Sequence, residues 1–271
     1  MSRNVLIISV FTLVLLLSCN KSSEEIKQEE LLPVDACKET VIPNEVIKLM
    51  KSYHQIEEYR NNYLIFNDGD SLIYDDNIQK DFYQLINNPS VKDMFATSYI
   101  KGEKYSIEKG QDPGRYRNIE FFRKIYGATK QEVQDSLVKI IWCPKTVNQP
   151  IYVTKINGVA DKLQKISTIL DSKPHLTKYV KKPGGTFNWR NIRNTDRLSM
   201  HSFGMTIDIN IDFSDYWQWS CKCSDEDANL QYTNRIPIEL VEIFEEEGFI
   251  WGGKWYHFDT MHFEYRPELL N

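Results

Sequence analysis

The sequence has no excess of basic residues and only one long apolar run. Its 271 residues include 33 Lys and Arg against 38 Asp and Glu, a formal net charge of −5. Because a nucleic-acid-binding domain needs a basic face, this balance argues against nucleic acid as a partner. With 41% apolar and 13% aromatic residues, the composition excludes a chain that is disordered throughout. No solenoid-type repeat is present, and the length suits one packed core with a small appendage. We expect a monomer.

The apolar run lies at the N-terminus. Arg3 precedes an apolar stretch over residues 5–17, which ends at Ser18 and Cys19. This stretch is too short to span a bilayer comfortably and has the proportions of an export signal. The letters LLSC at its end resemble the bacterial lipobox, in which the Cys becomes the lipidated first residue. A plain signal peptide or a short membrane anchor are the alternatives.

These features predict an exported protein that is held at the bacterial cell envelope by a lipid on Cys19. Residues 1–18 would be the lipoprotein signal peptide. Residues 19–43 are mostly polar and charged, and they have the composition of a solvated tether.

Cysteines are few. Besides Cys19, the chain has Cys37, Cys143, Cys221 and Cys223. In an exported protein, four cysteines allow two disulfides in three possible pairings. We expect Cys221 and Cys223 to be too close in sequence to bridge each other easily. A Cys-x-Cys zinc site is disfavoured, since no second ligand pair lies nearby.

The pattern of apolar residues predicts a mixture of helices and strands. Helices are predicted over residues 44–59, 79–87, 129–139, 157–171 and 237–247, strands over 63–66, 140–142, 205–211 and 262–265, and a loop over 183–185. Because the elements do not alternate as βαβ units, the fold class is α+β. We divide the body into a mostly helical N-terminal region, residues 44–150, and a C-terminal domain, residues 151–271.

Two polar stretches in the C-terminal domain could carry chemistry. Asp208 stands between isoleucines in the alternating strand, where a carboxylate is costly unless it meets a cation or hydrogen-bond donors. His201 precedes this strand by a few residues. In the last strand, His262 and Glu264 share one face, while Phe263 points to the opposite one.

Two imidazoles and one carboxylate make a three-ligand zinc set. A site of this kind keeps a fourth position open for water, which suits catalysis. A further carboxylate nearby would serve as the general base for that water. For any one of these residues, however, a buried structural His or a capping Asp is the more common role.

A resemblance to a known family supports the zinc interpretation. The segments GGTFNWRNIRNTDRLSMHSFGMTIDIN (184–210) and GFIWGGKWYHFDTMHFE (248–264) resemble the zinc D-alanyl-D-alanine carboxypeptidase and L-alanyl-D-glutamate endopeptidase family. These VanY-like cell-wall peptidases share their fold with the hedgehog signalling domain. Residues 112–127, which begin DPGRYR, also resemble the N-terminal part of some bacterial members. The resemblance implies a small antiparallel sheet with flanking helices and a zinc peptidase domain.

The resemblance also implies roles for individual residues. His201, Asp208 and His262 would bind Zn²⁺. Asp259 would take a proton from the attacking water and return it to the leaving amine. Arg190 would bind the substrate and stabilise the oxyanion.

Other residues have weaker assignments. Ser199 would orient the loop or bind substrate. Arg193 is a candidate for substrate binding, as is Arg197, although both also fit solvated loop charges. His257 fits a residue that supports the site, a substrate contact, or a partly buried loop histidine.

The predicted function is hydrolysis of a peptide bond in peptidoglycan stem peptides, by a carboxypeptidase or an endopeptidase. The alternatives are a non-catalytic envelope-binding lipoprotein on the same fold, and a peptidase whose target is a protein. A non-catalytic member would be expected to have lost Asp259 or a ligand. The sequence does not separate D,D from L,D specificity.

Overall fold

Helices and strands are interspersed along the chain, which we describe from a computed structural model over residues 41–102 and 105–270. The α-helices of this part are α1 (Asn44–Ser52), α2 (Phe82–Asn87), α3 (Ile119–Tyr126), α4 (Lys130–Ser136), α5 (Val159–Asp171), α6 (Thr177–Val180), α7 (Trp217–Cys221) and α8 (Ile238–Glu246). The strands are β1 (Ile56–Arg60), β2 (Tyr63–Phe66), β3 (Ser71–Ile73), β4 (Leu137–Trp142), β5 (Gln149–Thr154), β6 (Pro183–Gly185), β7 (Thr206–Asn210), β8 (Phe249–Trp251) and β9 (His262–Tyr265). The predicted signal peptide, Cys19, Cys37 and most of the tether lie outside the described residues.

All strand pairings in the described residues are antiparallel. They form a sheet in the order β1-β2-β3, a hairpin of β4 and β5, and a sheet in the order β6-β7-β9-β8. The mixture of helices with small antiparallel sheets confirms the α+β class. None of the helices in the described ranges is long and apolar enough to cross a bilayer.

The region 44–150 contains more strand than we expected. The helix predicted over 44–59 ends at Ser52, and residues from Ile56 onward pair with β2 instead. The turn that joins β1 to β2 is Asn61-Asn62, with φ of 51° and 68°. Two consecutive left-handed residues make the tight hairpin turn that matches strand twist, and Asn tolerates this conformation well. This turn signal outweighs the helical spacing of the residues before it.

The boundary predicted at residues 150 and 151 falls inside β5. Residues 40–271 form one unit, and β4 pairs with β5 along its full length. The helix predicted to reach residue 139 ends at Ser136, because the apolar, partly β-branched run that follows enters this hairpin. Residues 183–185, predicted as a loop, form the edge strand β6 beside β7.

The prediction about Cys221 and Cys223 was wrong, because these two residues form a disulfide with a Cα–Cα distance of 5.2 Å. Lys222 between them has a φ of 53°. This left-handed residue turns the chain enough to bring the two Cα atoms within the normal range for a disulfide. Cys143 is a buried free thiol.

The sheet that contains β7 and β9 is anchored by its apolar face. Ile207 and Ile209 are fully buried, as the alternation predicted. Phe263 of β9 stacks on Phe244 of α8 with a centroid distance of 3.9 Å. With one face held by the core, the alternating residues Asp208 and His262 must project from the other face.

Candidate metal centre

Strand register brings the first two polar residues together. In the β7–β9 pair, Asp208 lies directly opposite His262, and Thr206 lies opposite Glu264. Residues opposite each other in an antiparallel pair project from the same face a few ångströms apart. The site therefore begins as a cross-strand pair that the buried face of the sheet fixes in place.

His201 reaches the same place from a 3₁₀ turn, Met200–Phe203, just before β7. Gly204 ends this turn with a φ of 65°, and its N–H bonds to the His201 carbonyl. A Cβ on Gly204 would lie 2.7 Å from the Leu137 side chain. Only glycine combines this conformation with this close approach, so Gly204 sets the position of His201.

The three side chains converge on one point. Asp208 Oδ1 lies 3.2 Å from His201 Nε2 and 3.1 Å from His262 Nδ1. One ligand atom from each residue lies within 4.8 Å of the others. This is the set of residues that the sequence predicted would meet.

The outer nitrogen of each ring is held by an acceptor. His201 Nδ1 lies 2.8 Å from the Thr186 carbonyl oxygen, and His262 Nε2 lies 3.2 Å from Glu264 Oε2. A carbonyl or an ionised carboxylate can only accept, so these outer nitrogens carry the hydrogen. In neutral rings, the inner nitrogens would then carry lone pairs that a metal ion can accept.

With neutral rings, the Asp208 oxygen faces two nitrogen lone pairs at 3.1 and 3.2 Å, and these contacts are repulsive unless a proton or a metal cation lies among the three atoms. The donor set therefore fits a metal cation. In the metal-free protein, a proton on His262 supplies the positive charge. Burial alone would lower the pKa of His262, but the Asp208 and Glu264 carboxylates raise it to about 10. Burial would likewise raise the pKa of Asp208, but the two histidines hold it well below its usual range. Two imidazoles and one carboxylate are typical ligands of catalytic zinc.

Asp259 lies beside this cluster without belonging to it. Its backbone forms an antiparallel bridge with Tyr216, and its N–H bonds to the Gly252 carbonyl. Within the described residues, its buried Oδ1 has no hydrogen-bond partner. Burial, followed by the charge of Asp208, raises the pKa of Asp259 to about 6. Such a carboxyl is suited to accept and donate a proton near neutral pH.

The candidate substrate-binding residues lie in less constrained positions. Arg190 is exposed, and in the described part of the chain its guanidinium hydrogen-bonds to the Asn191 carbonyl alone, at 3.2 Å. Its backbone carbonyl accepts from the Ser199 N–H, and its backbone N–H donates to the Ser202 hydroxyl. Arg193 is exposed.

His257 is placed differently from the substrate contact that we considered. It is 2% exposed, with Nδ1 2.7 Å from Asp112 Oδ2 and Nε2 2.9 Å from the Glu226 carbonyl oxygen. Arg115 bonds to both acidic side chains. Since both ring nitrogens are used inside the protein, His257 is a structural histidine, and we call these four residues the His257 cluster.

Sequence reasoning gave no role to the residues that support the ligands. Glu264 was placed on the same face as His262, but its contact with the ring was not foreseen. Arg117 bonds to Glu264 from a distant part of the chain. The DPGRYR letters were the only signal for Arg117, and spacing alone could not pair residues that lie 147 positions apart.

In the comparison with known proteins, one family model matches part of the chain. Residues 193–265 match a family model described as D-alanyl-D-alanine carboxypeptidase. This segment contains all three converging residues and Asp259, and the match supports a peptidase. No curated protein and no solved structure matches the chain.

Proposed function

We infer that the chain is a zinc-dependent peptidase that hydrolyses a peptide bond in peptidoglycan stem peptides. The observation that carries this proposal is the convergence of His201, Asp208 and His262, with the outer nitrogens of both rings already occupied. The family match over residues 193–265 supports the peptidase class and the type of substrate.

In this proposal, the three ligands hold one zinc ion, which supplies a Lewis acid for the attacking water and the scissile carbonyl. Asp259 accepts the proton of the water through its carboxylate. It then donates the proton to the departing amine nitrogen. Burial raises the pKa of Asp259 in the metal-free protein and so favours return of the proton to the amine, while the charge of a bound zinc ion would favour the carboxylate that accepts the proton.

Arg190 is proposed to bind the substrate and the developing oxyanion. Its exposed guanidinium is available to a ligand, and its backbone is tied to the loop that carries His201. A donor aimed at the charge that develops in the transition state lowers the barrier more than one that binds the ground state equally.

We also propose that the protein is exported and lipid-anchored through Cys19 at the cell envelope, where peptidoglycan is found. The lipobox-like LLSC letters support this location. Changing Cys19→Ser should move the protein from the membrane fraction to the soluble fraction. Retention of that variant in the membrane fraction would contradict the lipid anchor.

The decisive experiment digests purified peptidoglycan with the wild-type protein and with Asp259→Asn. The wild type should release peptide fragments, and their identification by mass spectrometry names the bond. Asp259→Asn should bind one zinc ion per chain, as the wild type does, yet lose at least about 100-fold in rate, since the general base is gone.

Zinc binding without hydrolysis by the wild type would favour the non-catalytic binding lipoprotein. Normal cleavage by Asp259→Asn would show that another group is the base.

A further inference from the structure

Residues 112–117, which we call the 112–117 loop, pack against the strand and turn that carry His262. Three acceptors of the loop receive hydrogen bonds: the Asp112 carboxylate from the His257 N–H, the Pro113 carbonyl from Trp255 Nε1, and the Gly114 carbonyl from Arg266 Nη1. Two arginines of the loop donate to carboxylates: Arg115 to Glu226 and Arg117 to Glu264. Gly114 has a φ of 94°, and a Cβ there would lie 2.3 Å from the Ile250 side chain. The loop is therefore fitted closely to this part of the molecule.

Glu264 is the point where the loop meets the metal centre. Its side chain is fully buried, and Oε2 accepts from Arg117 Nη2 at 2.7 Å and from Nε at 3.1 Å. Arg266 Nη1 donates to Oε1 at 3.1 Å. A guanidinium can only donate hydrogen bonds, so the Glu264 carboxylate is the acceptor toward both arginines.

Two groups contact the His262 ring and support it. Glu264 Oε2 holds the Nε2 edge at 3.2 Å. Trp255 packs against the ring with a centroid distance of 5.6 Å, and the Arg117 guanidinium lies 5.3 Å from the Trp255 ring. Both supports thus depend on the 112–117 loop, whose Pro113 carbonyl also fixes the indole.

We propose that Glu264, clamped by Arg117 and Arg266, is the positioning residue that turns Nδ1 of His262 toward the metal. Both cations lie outside the segment 193–265 that matches the family model. The 112–117 loop therefore completes a metal centre whose ligands all lie within that segment. This inference rests on the metal site of the proposed function.

Glu268 provides an internal comparison. Like Glu264, it is fully buried and accepts from Arg266. Its other partner is the Tyr53 hydroxyl, at 2.6 Å, whereas the other partners of Glu264 are Arg117 and the ring of His262. Loss of either carboxylate should destabilise the fold, because each leaves a buried arginine less well paired. Only loss of Glu264 should change the metal site.

The experiment compares Glu264→Gln with Glu268→Gln in the full folded protein. Zinc affinity is measured by competition with a chelator, and unfolding is followed in the same samples. A partner that orients a metal-bound histidine typically contributes about 10- to 100-fold in metal affinity. We expect a loss of this size for Glu264→Gln and a change below about threefold for Glu268→Gln. The absorption spectrum of the Co²⁺-loaded protein should shift in Glu264→Gln alone.

A second pair of variants covers the case in which Glu264→Gln fails to fold. Arg117→Ala should weaken zinc binding, and Arg117→Lys should recover only part of it, because lysine restores the charge without the two-nitrogen fork. Arg115→Ala, on the same loop but bonded to Glu226, is the matched control and should bind zinc as the wild type does.

Wild-type affinity and an unchanged Co²⁺ spectrum in Glu264→Gln and Arg117→Ala would overturn this proposal alone. Equal losses in the Glu264 and Glu268 variants would also overturn it. Absence of zinc binding by the wild-type chain would overturn both this inference and the proposed function.

Discussion

Two histidines five residues apart, His262 and His257, have different environments although both are buried near two carboxylates. His262 uses one ring nitrogen to bond to Glu264 and turns the other toward Asp208, which a second histidine also faces. His257 uses both nitrogens inside the protein, and Arg115 pairs with both of its acidic neighbours.

The difference shows what separates a candidate metal centre from a structural cluster. Burial and nearby acid are common to both. At the candidate metal centre, acceptors already hold the outer nitrogen of each ring, and the three inner ligand atoms converge. These three atoms require a positive charge among them, from a proton or from a metal ion. In the His257 cluster, Arg115 already supplies that charge. Accordingly, the three converging residues are the metal-ligand group found within the described ranges.

The largest effect should come from removing a converging ligand. His201→Ala leaves two ligands for the ion, and we expect zinc content to fall from about one per chain to near zero, together with loss of hydrolysis. His257→Ala should keep its zinc. Metal analysis of the two purified variants checks this contrast, and loss of zinc from His257→Ala alone would reverse the assignment of the two histidines.

A smaller effect is expected on the stability of the His257 cluster. His257→Ala leaves the fully buried Asp112 with Arg115 as its remaining charged partner. Breaking a buried, hydrogen-bonded pair costs about 3 kcal/mol of unfolding free energy. Urea unfolding of the zinc-loaded wild type and variant measures the difference. A change below about 1 kcal/mol would show that the cluster contributes little to the fold.

The smallest effect concerns acid stability. Burial would raise the pKa of Asp112, but Arg115 and His257 lower it to about 2 from an ordinary 3.8. Because the folded-state pKa is depressed, Asp112 stabilises the fold above pH 3.8, and this contribution is lost as the pH falls toward 2. At about 1.4 kcal/mol per pKa unit, the contribution is roughly 2 kcal/mol.

Asp112→Asn isolates this contribution. The difference in unfolding free energy between wild type and Asp112→Asn should be constant from pH 7 to 5 and should narrow below pH 4. Urea unfolding at pH 6 and pH 3 measures it. A difference that stays equal at both values would mean that the Asp112 carboxylate does not titrate as its contacts indicate.

The sequence indicated the metal centre better than its supports, for physical reasons. Alternation around Asp208 and in the last strand predicted two strands, and each element was found. Once these two strands pair, Asp208 and His262 lie opposite each other, and their residue types identify them as candidate ligands. Glu264 depends on Arg117, however, and a contact between residues 147 positions apart is set by packing of the whole chain.

Local backbone conformation accounts for the other differences. The left-handed Asn61-Asn62 pair converts a helical pattern into a hairpin, and a left-handed Lys222 allows a disulfide between residues two apart. Side-chain periodicity carries no information on such turns. Asn-rich turns can be anticipated from residue type, whereas a left-handed lysine cannot.

The central claim is that His201, Asp208 and His262 bind one zinc ion and that the His257 cluster binds none. Anomalous diffraction at the zinc absorption edge, from crystals of the zinc-loaded protein, tests it directly. We predict a single peak about 2.0–2.2 Å from His201 Nε2, an Asp208 carboxylate oxygen and His262 Nδ1. A peak at His257, or none at the three ligands in protein shown to contain zinc, would contradict the account.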